Sequence, residues 1–128
     1  TRLNMILAVM EKIVGIPLVN QDVYVNVVGG IRPEGTGADI AVALAIYSSF
    51  KRIKPLRKTI AIGEVGLTGD LRSVQNIDKI VKEAARLGYE QVIVPKRNAE
   101  KLGKAASIGS CKVIGVKNIM DALQILRS

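Results

Sequence analysis

The strongest constraint on the fold lies in the second half of the chain, where short β-branched runs alternate with helical patterns. Thr59 to Glu64 (T-I-A-I-G-E), Gln91 to Val94 and Lys112 to Val116 each read as a strand by length and by Val and Ile content. Between the first two, Ile77, Ile80, Val81, Ala84 and Leu87 recur at helical spacing, and Gly88 supplies a C-terminal stop. Asn98 is the expected N-cap of a helix running to about Ala106. Asn118 is the expected cap of a last helix whose apolar face is Ile119, Ala122, Leu123 and Leu126. A β-α-β-α-β-α order favours parallel strands joined by crossovers. Val65 to Gly69 reads as a turn and Asp70 to Val74 as a short returning strand, so the sheet is predicted to be mixed. The fold class is α/β, in two to three layers.

The first half is less regular. Leu3, Ile6, Leu7, Val9, Met10, Ile13 and Val14 predict a helix that Gly15 stops, with Thr1 as its cap. Asp22 to Val28 (D-V-Y-V-N-V-V) alternates as a strand, and Gly29-Gly30 ends it. Ile31 to Gly37 is a loop. Ala38 to Phe50 is so apolar that its helix is expected to be buried on most sides. Pro55 then bars helix through the basic stretch Lys51 to Lys58.

Two absences exclude whole classes of chemistry. Without His there is no Ser-His-Asp triad, no His general base and no His-containing metal site. A single Cys111 excludes an intrachain disulfide, a Zn-Cys cluster and a Cys-X-X-Cys pair, and predicts a small apolar core residue. No run reaches the roughly 18 apolar residues of a membrane helix. Asn4, Glu11 and Lys12 interrupt the first apolar stretch, which is therefore no signal peptide. The first residue is Thr, so residues 1–128 are read as one domain cut from a longer chain.

Three patterns remain as carriers of chemistry. Gly29-Gly30 to Gly37-Ala38-Asp39 joins a strand to a helix start, where backbone N–H groups can hold phosphate. It matches neither G-x-x-x-x-G-K-[ST] nor G-x-G-x-x-G, and Glu34 and Asp39 oppose an anion, so a structural turn stands beside a nucleotide loop. Glu64, Asp70 and Asp78 form either an acid/base or metal group, or caps and ion pairs to Arg72 or Lys79. Ser and Lys residues leave a Ser–Lys dyad open, although no serine sits in a glycine elbow at a helix start.

Four stretches occur in order: N-Q-D-V-Y-V-N-V-V-G-G from Asn20, A-D-I-A-V-A-L-A-I-Y-S-S-F from Ala38, A-I-G-E-V-G-L-T-G-D-L-R-S-V from Ala61, and K-E-A-A-R-L-G-Y-E-Q-V-I-V-P-K from Lys82. Together they cover nearly the whole chain and resemble the C-terminal Lon-protease-like domain of the RadA family of bacterial DNA repair proteins. The resemblance implies a Lon-protease-like α/β fold. Lon-type proteases carry a serine in a P-K-D-G-P-S-A-G loop and a lysine in a G-G-L-K segment after G-E-x-x-L-x-G. On this chain the serine position falls on Gly37 and the lysine position on Asp78. Both members of the dyad are therefore replaced. Thr36 and Lys79 adjoin the two positions, but one residue along a helix rotates a side chain by about 100°.

The same resemblance implies a catalytically inactive domain, a pseudo-protease that acts in sequence-independent DNA binding and in assembly of a hexameric ring. Its partners would be single-stranded or branched DNA and further copies of itself, with no membrane and a cytoplasmic setting. No cofactor is expected in this domain. ATP, Mg and Zn belong to the ATPase and zinc-finger segments of the family, and those segments are not in this sequence. The alternatives are an active Ser/Thr-Lys peptidase with an unrecognised centre, and an oligomerisation scaffold without DNA contact.

Charge supports the nucleic-acid expectation. Of a net +8, residues 1–50 hold 3 basic and 4 acidic side chains, and residues 51–128 hold 16 and 7. The expected DNA-binding residues are Lys51, Arg52, Lys54, Arg57 and Lys58, with Lys96 and Arg97 in a second cluster that continues to Lys101 and Lys104. With Tyr24, Tyr47, Tyr89 and Phe50 as the aromatic residues, backbone contact is favoured over base stacking.

Overall fold

The computed structural model describes residues 2–15, 39–51, 58–102, 107–108 and 111–127. The expected strand Asp22–Val28, the glycine-rich loop with Gly37, and Arg52, Lys54 and Arg57 lie outside them. In chain order the elements are α1 (Arg2–Val9), which continues as a π-helical turn over Met10–Val14, and α2 (Asp39–Lys51). Next come β1 (Thr59–Ala61), β2 (Glu64–Val65), β3 (Leu71–Arg72), α3 (Ile77–Arg86) and β4 (Gln91–Pro95). The chain closes with α4 (Lys96–Leu102), β5 (Ser107–Ile108), β6 (Cys111–Val116) and α5 (Ile119–Arg127).

The main sheet has the order β1-β4-β6-β5. β1, β4 and β6 are parallel, with Thr59 beside Gln91 and Gln91 beside Lys112. β5 pairs antiparallel with β6, so the sheet is mixed. All five residues of β4 are buried, as befits a central parallel strand covered on both faces. Alternation along β4 assigns those faces. Val92 and Val94 pack with Ile77, Val81 and Ala84 of α3 and with Ala99 and Leu102 of α4. Ile93 packs with α1, α2 and α5 through Ile6, Ile40, Ala43, Ile119 and Ala122. The result is three layers, helix on sheet on helix, from the α/β alternation legible in the sequence.

Several local expectations hold. α2 buries Ile40, Ala43, Leu44, Ile46 and Tyr47, a stripe wide enough to leave only a narrow exposed side that includes Ala45 and Phe50. Asn118 caps α5, its Oδ1 accepting from the Asp121 N–H at 3.0 Å. Gly88 takes φ +88 beyond the end of α3, the left-handed conformation a helix stop requires. Cys111 is fully buried, and burial pushes its thiol pKa up.

Four expectations are corrected. Asn98 is not an N-cap: α4 already begins at Lys96, directly after Pro95, and Asn98 is buried within it. Its Oδ1 accepts from the Val74 N–H at 3.0 Å, and its Nδ2 donates to the Val74 carbonyl at 2.9 Å. Thr59–Glu64 is not one strand. It breaks at Ile62-Gly63, where a side chain on Gly63 would come within 2.9 Å of Pro95 Cγ and would also strike Ile40. Glu64 and Val65 instead pair with Arg72 and Leu71 in a separate two-stranded hairpin, so the returning strand is shorter than Asp70–Val74. The last turn of the first helix is π-helical rather than α-helical. The edge strand β5, two residues long, has no periodic pattern that could have announced it.

Candidate functional site

The topology sends several helix starts to one edge of the sheet, beyond the carboxyl ends of the parallel strands. α2 begins there, with the Ile40 N–H donating to the Gly63 carbonyl at 3.2 Å. The buried Asp39 carboxylate accepts from the Val65 N–H at 3.1 Å and so fastens α2 to the hairpin. The hairpin is fastened in turn to α5, through Ile119 N–H to Gly69 carbonyl (2.8 Å) and Leu71 N–H to Lys117 carbonyl (3.3 Å). α3 begins at the same edge, because the Val74 segment leading into it is clamped by Asn98 in the first turn of α4. In open α/β sheets this edge is where ligands are bound.

Asp78, at the lost lysine position, stands exposed in the first turn of α3. It lines an open groove between α3 and α4 together with Ser73, Gln75, Asn76 and Lys101. Gly37 lies outside the described residues. Of the two readings of Glu64, Asp70 and Asp78, the structure shows the ion pair to Arg72 at Asp70. Asp70 accepts from the Thr68 hydroxyl at 2.7 Å and sits 3.6 Å from Arg72 Nε. That hydroxyl bond first, with Arg72 alongside, holds its carboxyl below the ordinary range. Among the described residues, no three His, Cys, Asp or Glu side chains converge as a metal site.

The two basic clusters fall at opposite ends of the sheet. Lys58 precedes β1 at the amino edge, while Lys96 and Arg97 follow β4 at the carboxyl edge. At about 3.3 Å per strand residue they are separated by roughly 20 Å along the strands. Lys58 is already engaged: its Nζ donates to the Leu87 carbonyl at 3.3 Å and lies 4.8 Å from the Tyr89 ring centroid. Its N–H donates to Glu90 Oε1 at 3.3 Å. Lys51, exposed at the end of α2, has its Nζ 5.8 Å from the Phe50 ring centroid. Lys96 and Arg97 are exposed. Two further exposed cations, Lys79 and Lys82 on α3, belong to neither basic cluster expected from the sequence. Their three-residue spacing, away from the buried stripe of Ile77, Val81 and Ala84, is the sequence signal that puts them on one exposed side of α3.

Residues 4–98 match the family model described as subunit ChlI of Mg-chelatase. The chain belongs to this family. The ChlI family takes its description from a chelatase subunit, whereas the individual relatives that align with the chain are named for DNA repair. DNA repair protein RadA of Halalkalibacterium halodurans is 44% identical over 124 residues, which is 97% of this chain and 26% of that protein. RadA of Bacillus subtilis is 42% identical over 123 residues, covering 96% and 26% respectively. RadA of Escherichia coli is 41% identical over 125 residues, covering 97% and 26%. The chain thus spans about a quarter of the length of the curated relatives it matches. The relation to RadA read from the sequence stands. Among the described residues, no helix is long and apolar enough to cross a membrane.

Proposed function

We propose that this chain is a catalytically inactive Lon-like domain of a RadA-type DNA repair and recombination ATPase, serving sequence-independent DNA binding and assembly of a hexameric ring. The observation that carries the reading is the alignment with RadA proteins over 97% of the chain at 44% identity. The inactive state is inferred from Gly37 and Asp78 at the dyad positions: glycine has no side chain to attack with, and an exposed aspartate cannot act as the lysine base. ATP hydrolysis, and the Mg and Zn that accompany it, are assigned to the rest of such a protein. The cytoplasm is its proposed compartment.

DNA binding is assigned to the basic second half, which holds 16 of the 19 Lys and Arg residues. Phosphate contacts by these cations would release condensed counterions and make the affinity fall with salt. Anisotropy of labelled oligo-dT tests this: binding that weakens steeply with salt is expected, and no binding at low salt overturns it. Hydrolysis of an activated ester that disappears on Thr36→Ala or Lys79→Ala would overturn the inactive assignment.

An oligomerisation scaffold is the second reading, and one observation favours it. Leu67 is 74% exposed at the hairpin tip, and Ile13 and Met120 are also exposed. Gly69, two residues after Leu67, packs closely against Ile13 and against Ile119, the neighbour of Met120: a side chain there would lie 3.1 Å from Ile13 and 3.3 Å from Ile119. Leu67→Asp should lower the mass found by sedimentation without weakening oligo-dT binding if this patch joins subunits. An unchanged mass removes the patch from the interface.

A further inference from the structure

The cations of the two clusters differ in what they already do. Lys58 is occupied by Leu87 and Tyr89. By contrast Lys79 and Lys82 on α3, and Lys96, Arg97 and Lys101 on α4, are exposed. Among the described residues none of these five forms an ion pair, whereas Arg86 on α3 is neutralised by Glu83 in a two-bond pairing. α3 and α4 cover the same face of the sheet. Lys79 and Lys82 are three residues apart, and Arg97 and Lys101 are four apart, so each pair shares one side of its helix. The open groove between the helices is lined by Ser73, Gln75 and Asn76, which carry hydrogen-bond donors, and by Asp78 and Lys101; Lys79, Lys82 and Arg97 stand exposed on the two helices that form it, outside its lining. Among the described residues Asp78 and Glu100 are the exposed acids of the two helices outside the Glu83–Arg86 pair, and the balance stays positive.

We propose that the α3–α4 groove is the track along which a DNA phosphate backbone lies, held by Arg97 and Lys101 from α4 and by Lys79 and Lys82 from α3. This rests on the DNA-binding function above and assigns it a surface. Arg97 and Lys101 are about 6 Å apart along the helix axis, so the two cations can meet neighbouring phosphates of one strand. The hydroxyl and amide groups of Ser73, Gln75 and Asn76 can donate to phosphate oxygens between the cations. No residue lining the groove is aromatic among the described residues, so the contact is with the backbone and indifferent to sequence. Asp78 opposes the backbone from within the groove.

Oligo-dT binding by the 128-residue chain, measured by anisotropy across a salt series, is the test. Arg97→Gln with Lys101→Gln should reduce the slope of log K against log salt by about 1.4, at about 0.7 per contact to a single strand. Lys79→Gln with Lys82→Gln should act likewise, and Asp78→Asn should tighten binding. Circular dichroism should show the same fold and melting midpoint in every variant, since all five side chains are exposed. Slopes and affinities unchanged in both double variants would overturn the groove. If Lys51→Gln with Arg57→Gln removed the slope instead, the groove would fall and the DNA-binding function would stand. A parent chain that does not bind oligo-dT at low salt would overturn the function itself.

Discussion

Removal of the Asn98 amide tests the account of how the groove is held. Asn98 is 1% exposed, and its two bonds tie the Val74 backbone to α4 at 3.0 and 2.9 Å. Asn98→Ala deletes both bonds and leaves the Val74 N–H and carbonyl to find other partners. A net contribution of about 1 kcal/mol per bond, with a further penalty for the partly buried groups left behind, gives a loss of roughly 2–3 kcal/mol. Urea unfolding followed by circular dichroism should show the midpoint fall by about 1–2 M at an m-value near 1.5–2 kcal/mol/M. A loss below about 0.5 kcal/mol would refute the clamp. Asn98→Asp then separates the two bonds. A carboxylate still accepts from the Val74 N–H but meets the Val74 carbonyl with no proton, so the folded state favours the protonated acid. The folded pKa is thus raised above the unfolded value of about 3.9. Stability supplied by the protonated form is present below that value and is lost as pH rises through the folded pKa. The deficit against the parent chain should therefore grow between acid and neutral pH. A deficit flat with pH would mean that the Val74 carbonyl is not the partner.

Gly69→Ala should cost about 1–2 kcal/mol, because Gly69 holds φ +84 and a methyl group there crowds Ile13 and Ile119. Unfolding midpoints check it, and a neutral outcome would contradict the tight hairpin. Asp70→Asn should lose a small stability increment, a few tenths of a kcal/mol after allowance for solvent exposure. Because the folded pKa of Asp70 is depressed, that increment is present above the unfolded value of about 3.9 and disappears as pH falls through the folded value, so variant and parent should converge in acid. Cys111 should resist a thiol-specific disulfide reagent in the folded chain and release one equivalent after denaturation, as expected of a buried thiol with a raised pKa. Rapid labelling of the folded chain would contradict its placement in the core.

The parallel core was legible because each of its strands is a short β-branched run bounded by turn residues, and each helix between them keeps a clean apolar stripe. Ile77, Val81 and Ala84 are buried as their spacing requires. Asn98 was misread because an asparagine near a helix start fits an N-cap by type and position. What decides its role is Val74, 24 residues earlier in the sequence. The break at Ile62-Gly63 was hidden for the same reason: Gly63 is small because Pro95 and Ile40 press against it, and neither neighbour is near in sequence. Local propensity carries no record of such contacts. The groove was only half visible. Lys96, Arg97 and Lys101 form a run in the sequence, whereas α3, the helix that carries Lys79 and Lys82, is brought onto the same face as α4 by apolar packing.

Charge counts locate a binding surface only after the cations with structural duties are set aside. The densest basic run, Lys51 to Lys58, is the more conspicuous in the sequence, yet its last residue has its ammonium group directed to a helix-end carbonyl and an aromatic face. A lysine held that way would surrender a hydrogen bond and a cation–π contact, the latter worth about 0.5–1 kcal/mol at an exposed site, before it could meet a phosphate. Lys58→Met should therefore lower the unfolding midpoint while leaving the salt slope of oligo-dT binding unchanged. Among the described residues Arg97 and Lys101 have no such contact to give up. Their substitution should move the salt slope and leave the midpoint alone. If the two variants instead behaved alike in both measurements, the division between structural and binding cations would be wrong.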